Sequence, residues 1–79
     1  NKEWLILELK KGKSSDAVTG QILRYIGWIK ENLAEPNQTV RGIIILGEID
    51  EKLKYSVKTL DNVNVLTYSV SFQLKETEQ

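Results

Sequence analysis

Hydrophobic and polar positions divide the chain into periodic segments. Residues 4–10 alternate at period two, placing Trp4, Ile6, Glu8 and Lys10 on one face of a strand and Leu5, Leu7 and Leu9 on the other. The strand then runs into a basic turn, where Lys10, Lys11 and Lys13 lie together. Over residues 17–33 the spacing changes. Val18, Ile22, Ile26, Ile29 and Leu33 fall in one stripe if each residue advances about 100°, which predicts a helix with Ser14, Ser15 and Asp16 as cap candidates. Lys30 sits near its C-terminal end, where the dipole favours a cation, and residues 32–39, with Pro36, form a loop. Residues 40–47, VRGIIILG, make a continuous apolar run, the pattern of a strand buried on both faces of a parallel sheet. Strand, helix and strand make a right-handed βαβ unit. Asp50 caps a second helix over 51–60, with Leu53, Val57 and Leu60 inward and Lys52, Lys54 and Lys58 outward. After a turn at Asp61-Asn62, residues 63–74 read as strand. Val63 and Val65 alternate, then the inward set shifts to Leu66, Tyr68, Val70, Phe72 and Leu74, so a bulge or a break is expected at Val65-Leu66. Residues 75–79 are polar and read as a frayed end.

These segments predict one small α/β domain: a central strand pair, 4–10 and 40–47, a βαβ crossover, a second helix and a C-terminal strand region. A chain of 79 residues buries only about 60 to 65% of its unfolded surface, so the core is one sheet with a few helices. A content of 41% hydrophobic and 28% charged residues, with eleven of each sign, describes an ordinary soluble protein. The chain has no cysteine and no histidine. That excludes a disulfide framework, thiolate chemistry, Ser-His and Cys-His nucleophiles and His-rich zinc sites. Any metal would be held by oxygen, which favours magnesium, manganese or calcium. No apolar run approaches about 18 residues and no signal-peptide pattern is present, so a cytoplasmic protein without a membrane partner is expected. The lack of Met, with a start just ahead of a strong strand, reads as a fragment or a processed product.

Candidate chemistry gathers at the end of the first strand. Glu8 and Lys10 stand side by side there, and both are costly to bury without partners. The triplet Glu8-Leu9-Lys10 has the parts for metal-assisted phosphodiester hydrolysis. The Glu8 carboxylate and the Leu9 carbonyl each offer an oxygen to a divalent cation, and Lys10 orients water or neutralises developing charge on phosphorus. The same pattern fits a solvated strand face. On the long helix Gln21, Tyr25 and Trp28 share a face, with Arg24 beside them. The Gln21 amide can hold a water or a phosphate oxygen, and Arg24 can pair with phosphate. Tyr25 and Trp28 equally suit peripheral core, and Gln21 a strand-end cap. Gly20, Leu23 and Gly27 lie opposite the main stripe and leave room for a second subunit, as in a homodimer, or for another part of a parent chain.

The stretch ELKKGKSSDAVTGQILRYIGWIKENL, followed by VRGIIILGEIDEKLKYSVKTLDNVNVLTYSVSFQL, closely resembles the catalytic C-terminal domain of NucS-type endonucleases. These belong to the PD-(D/E)XK nuclease superfamily and act on branched or mismatched DNA. The likeness runs from residue 4 to about residue 75 and is most specific at Glu8-x-Lys10, at GQILRYIGW with Gln21-x-x-x-Tyr25, and at VRGIII. It implies a restriction-endonuclease-like core and a DNA-repair hydrolase that uses magnesium or manganese. Carried over, it makes Glu8 a metal ligand, Leu9 a ligand through its carbonyl and Lys10 the catalytic lysine, with Gln21 and Tyr25 completing the site. Lys11, Lys13, Arg24 and Tyr25 are then the residues that meet DNA. One departure matters: the family's motif aspartate stands on the preceding strand, which these 79 residues do not include, nor do they include an N-terminal DNA-binding domain. Asp16 and Glu3 are the nearest other carboxylates. The expectation is the C-terminal portion of a nuclease domain, residues 1–79, active in its parent and, alone, weak in metal binding and without cleavage. A non-catalytic nucleic-acid-binding or assembly module on the same fold is the alternative. A related restriction or repair nuclease with another substrate is a third reading, since phosphate-contacting residues carry no base-reading information.

Overall fold

The apolar run VRGIIILG becomes the middle strand of a three-stranded sheet, the one position where a strand is paired on both edges. The computed structural model describes residues 2–14, 17–71 and 73–77, with the side chains of 12–14 left aside. Its elements are β1 (Glu3–Ser14), α1 (Ala17–Asn32), β2 (Thr39–Ile49), α2 (Glu51–Lys58) and β3 (Val63–Thr67). The order across the sheet is β1-β2-β3, and both pairings are parallel. Parallel neighbours need a crossover connection, and α1 and α2 supply the two. The expected α/β class and the βαβ unit are therefore present. No helix among the described residues is long and apolar enough to cross a membrane.

The core lies between the helices and one face of the sheet. Val18, Ile22 and Ile26 of α1 meet Val40, Ile44 and Leu46 of β2, Leu53 of α2 and Val63 of β3. Ile22, Ile44, Leu46 and Leu53 are closed to water, each burial contributing about 1.5–3 kcal/mol. Gly42 sets how close α1 comes. A Cβ there would stand 2.6 Å from Ile22 Cδ1 and 3.2 Å from Ile26 Cδ1, so the helix rests directly on backbone at that point. Asp50 caps α2 as its position predicts, its Oδ1 accepting from the Leu53 N–H at 2.8 Å.

Side chains fasten the start of β1. Trp4 Nε1 donates to Gln38 Oε1 at 2.9 Å, and the same oxygen accepts from the Glu35 N–H. Glu3 Oε2 accepts from Thr39 Oγ1 at 2.9 Å and lies 3.6 Å from Arg41 Nε. This end of the strand is tied to the α1–β2 loop and to β2.

Several expectations change. The basic residues do not form a turn: β1 continues to Ser14, because β2 runs on to offer Glu48 and Ile49 as partners after a register shift between Lys10 and Lys13. Among the described residues β1 is an edge strand, so β2 alone is central. Burial of β2 alternates: Val40, Gly42, Ile44 and Leu46 are buried, while Arg41, Ile43, Ile45 and Gly47 are half-buried, since both helices cover the same face. Leu33 stands just past the end of α1 and is exposed. The last strand stops at Thr67, where pairing with Leu46 ends, apart from one bond from the Tyr68 N–H to the Leu46 carbonyl at 2.9 Å. Beyond it Tyr68, Val70 and Leu74 have no element to pack on and are exposed, so the proposed inward set does not form, and Phe72 lies outside the described residues. Ser15 and Asp16, named as cap candidates, also lie outside them.

Candidate functional site

α1 carries the chain from the C-terminal end of β1 back to the N-terminal end of the parallel β2, so it runs antiparallel to β1. The face of β1 beneath it holds Trp4, Ile6, Glu8 and Lys10, all half-buried, rising toward the end where α1 begins. At Ile6 a groove of about 590 Å³ opens between strand and helix, lined also by Arg24, Tyr25, Trp28 and Ile29. Glu8 and Lys10 are the next residues on that face beyond Ile6, and Gln21 stands one helical turn beyond Tyr25 in the same direction. Alternation on the strand puts Glu8 with Lys10 on the helix-covered face of β1, and the helical repeat puts Gln21 with Tyr25 on one side of α1, where Tyr25 lines the groove.

On that face of β1, Lys10 Nζ lies 3.4 Å from Glu8 Oε1. Each charge answers the other's loss of hydration, and a pair this open to water contributes at most about 1 kcal/mol to stability. Gln21 Nε2 donates to the Tyr25 hydroxyl at 3.2 Å, an exposed bond within α1. The other predicted residues separate. Lys11 is exposed on the opposite face of β1, and the side chain of Lys13 is outside the described set. Leu9 also turns its side chain to that opposite face, so any contribution it makes is through its backbone on an edge strand. Glu3 is engaged with Thr39 and Arg41 at the far end of β1, and Asp16 lies outside the described residues.

Magnesium and manganese ask for near-octahedral oxygen coordination with carboxylate ligands. Among the described residues no three Asp, Glu, His or Cys groups gather, and Glu8 is the one carboxylate on this face of β1. That donor set does not by itself make a divalent-cation site.

Sequence reasoning left Tyr25 and Trp28 open between core and site. Neither is core: Tyr25 is 45% and Trp28 57% exposed, and both line the groove. Ile6 and Ile29, read only as apolar-face residues, are part of its lining. The signal that points there is an Arg-Tyr step followed by Trp at i+3, beside rather than within the apolar stripe. On the far side of α1 Gly20, Leu23 and Gly27 stay open to water, and nothing stands within 4 Å of a Cβ placed on Gly27.

No protein family, curated protein or solved structure matches this chain.

Proposed function

We propose that the chain supplies the Glu8–Lys10 half of a metal-dependent endonuclease site of the NucS, PD-(D/E)XK type, hydrolysing phosphodiester bonds in branched or mismatched DNA. The observation that supports it most is the Glu8–Lys10 pair at 3.4 Å on the edge strand β1, with the Gln21–Tyr25 pair on the helix that packs on that strand. In this reading Glu8 and the Leu9 carbonyl are the oxygens the chain offers to magnesium or manganese, whose role when bound is to polarise the phosphate and acidify water. The remaining carboxylate has to come from outside the described residues. Lys10 sets an ammonium where charge builds on phosphorus, and Gln21 can hold a water or a phosphate oxygen. Arg24 and Tyr25, with Lys11 and Lys13, are the DNA-contacting residues. The parallel β1–α1–β2 unit is compatible with a restriction-endonuclease-like core, which we propose as the wider fold.

The test is manganese-dependent cleavage of labelled single-stranded, flapped, mismatched and plain duplex DNA by the full gene product, beside its Lys10→Ala variant. Structure-selective cleavage that disappears with Lys10 is expected. The 79 residues alone are expected to cleave none of these at a comparable rate. Retained DNA binding without cleavage by the full product overturns the enzyme reading. It favours a non-catalytic nucleic-acid-binding module, which the groove residues Arg24, Tyr25 and Trp28 support because their chemistry needs no metal.

A further inference from the structure

We infer that the groove between β1 and α1 is a stacking subsite for one unpaired nucleobase of a single-stranded nucleic acid, with Trp28 as its platform. This rests on the nucleic-acid part of the reading above and not on cleavage.

The groove is divided by chemistry. Toward the C-terminal half of α1 it is aromatic and aliphatic, with Trp28, Tyr25, Ile29 and Ile6. Its one charged lining residue among those described is Arg24. Arg24 Nη1 would stand 3.8 Å from a Cβ on Gly20, so the guanidinium lies at the outer rim of the groove, toward the water-facing side of α1. Arg24 is in no ion pair among the described residues, which leaves its donors for an incoming anion. A nucleotide has the same division: a flat base with apolar faces at one end and a phosphate at the other. A base on the aromatic residues and a phosphate at the Arg24 rim would match that division.

Size and accessibility agree. A volume of about 590 Å³ lies in the range of about 300–1,000 Å³ that suits a small flat ligand. Two aromatic side chains with large exposed fractions on one groove are costly surface for water to cover and suit a π-faced partner. Duplex DNA shows only base edges in its grooves, so a surface that offers ring faces is filled by a base that has left the stack. The Tyr25 hydroxyl already accepts from Gln21, and among the described residues no Asn or carboxylate lines the groove, so the lining favours stacking over readout of base identity.

The experiment uses the full chain with chelator present, so that nothing is cleaved. Trp4 is replaced by phenylalanine, which leaves Trp28 as the sole tryptophan of these 79 residues. Titration with a homothymidine oligonucleotide is expected to quench Trp28 emission, and a fully paired, blunt duplex is expected to quench it far less. In anisotropy titrations Trp28→Ala should weaken single-strand binding roughly 5- to 150-fold, and Trp28→Phe should retain most of it. Emission that stays unchanged at saturating oligonucleotide overturns the proposal, as does a Trp28→Ala chain that binds like the parent. Quenching that follows protein concentration alone gives the groove to a second copy and also overturns it. If Trp28→Ala fails to fold, the quenching of the intact ring decides. A chain that stacks bases but never cleaves with manganese ends the nuclease reading and leaves this one standing.

Discussion

The two faces of the sheet are built from similar side chains and meet opposite surroundings. On one, Val40, Ile44 and Leu46 lie under α1 and α2 and are closed to water. On the other, Leu5, Leu7 and Leu9 are 55%, 62% and 68% exposed, with Ile43 and Ile45 half-buried beside them. In β1 the helix covers the face that carries Glu8 and Lys10, and the all-leucine face stays open. Hydrophobicity alone would assign the reverse. The choice is made by β2: Gly42, paired with Ile6, leaves a hollow on that side into which Ile22 and Ile26 fit. A helix follows the shape it can pack on before it follows the count of apolar groups, and the charged pair is thereby placed under a helix and beside a groove.

The largest effect should come from testing the faces directly. Ile44→Ala is expected to cost about 2–5 kcal/mol in urea unfolding, while Leu7→Ala stays within about 0.5 kcal/mol. Equal losses would mean that the leucine face is covered in solution. Next are two glycines. Gly42→Ala should cost about 1–3 kcal/mol because Ile22 has nowhere to move, whereas Gly27→Ala, open on all sides, should stabilise the helix by about 1 kcal/mol. Removing the cap with Asp50→Ala loosens the second helix of the covered face, at a cost of about 0.5–2 kcal/mol and with loss of helical ellipticity as the readout. The smallest effect belongs to Lys10→Ala, at most about 1 kcal/mol in the same unfolding assay. A larger drop would make the pair part of the fold, and lost cleavage would then say nothing about chemistry.

Period and capping made much of this legible. The five-residue stripe from Val18 to Leu33 predicted α1 with only its last member misplaced, and Asp50 announced α2, because both are signals carried within a few residues. The extent of strands was less legible. Residues 68–74 continue the alternation of a strand, yet the ladder with β2 stops at the Leu46–Thr67 pair, apart from one bond from the Tyr68 N–H to the Leu46 carbonyl. Likewise the lysines after Lys10 read as a turn until β2 is seen to run alongside them. At the site, spacing was enough to put Glu8 with Lys10 and Gln21 with Tyr25, since each pair sits on one element. That Trp28 would share a groove with Ile6 depends on how β1 and α1 lie together, which no local pattern encodes.

The exclusively parallel order also sets how the chain must fold. Glu3 and Thr39 meet across 36 residues and Arg41 and Asn64 across 23, and no two of the described strands are joined by a hairpin. Every ladder must therefore await a long loop closure, while the two helices can form and dissolve on a timescale of about a microsecond. β2, which has to capture a neighbour on each side, becomes the slow step of assembly. Once assembled, its amides are the last to exchange with solvent.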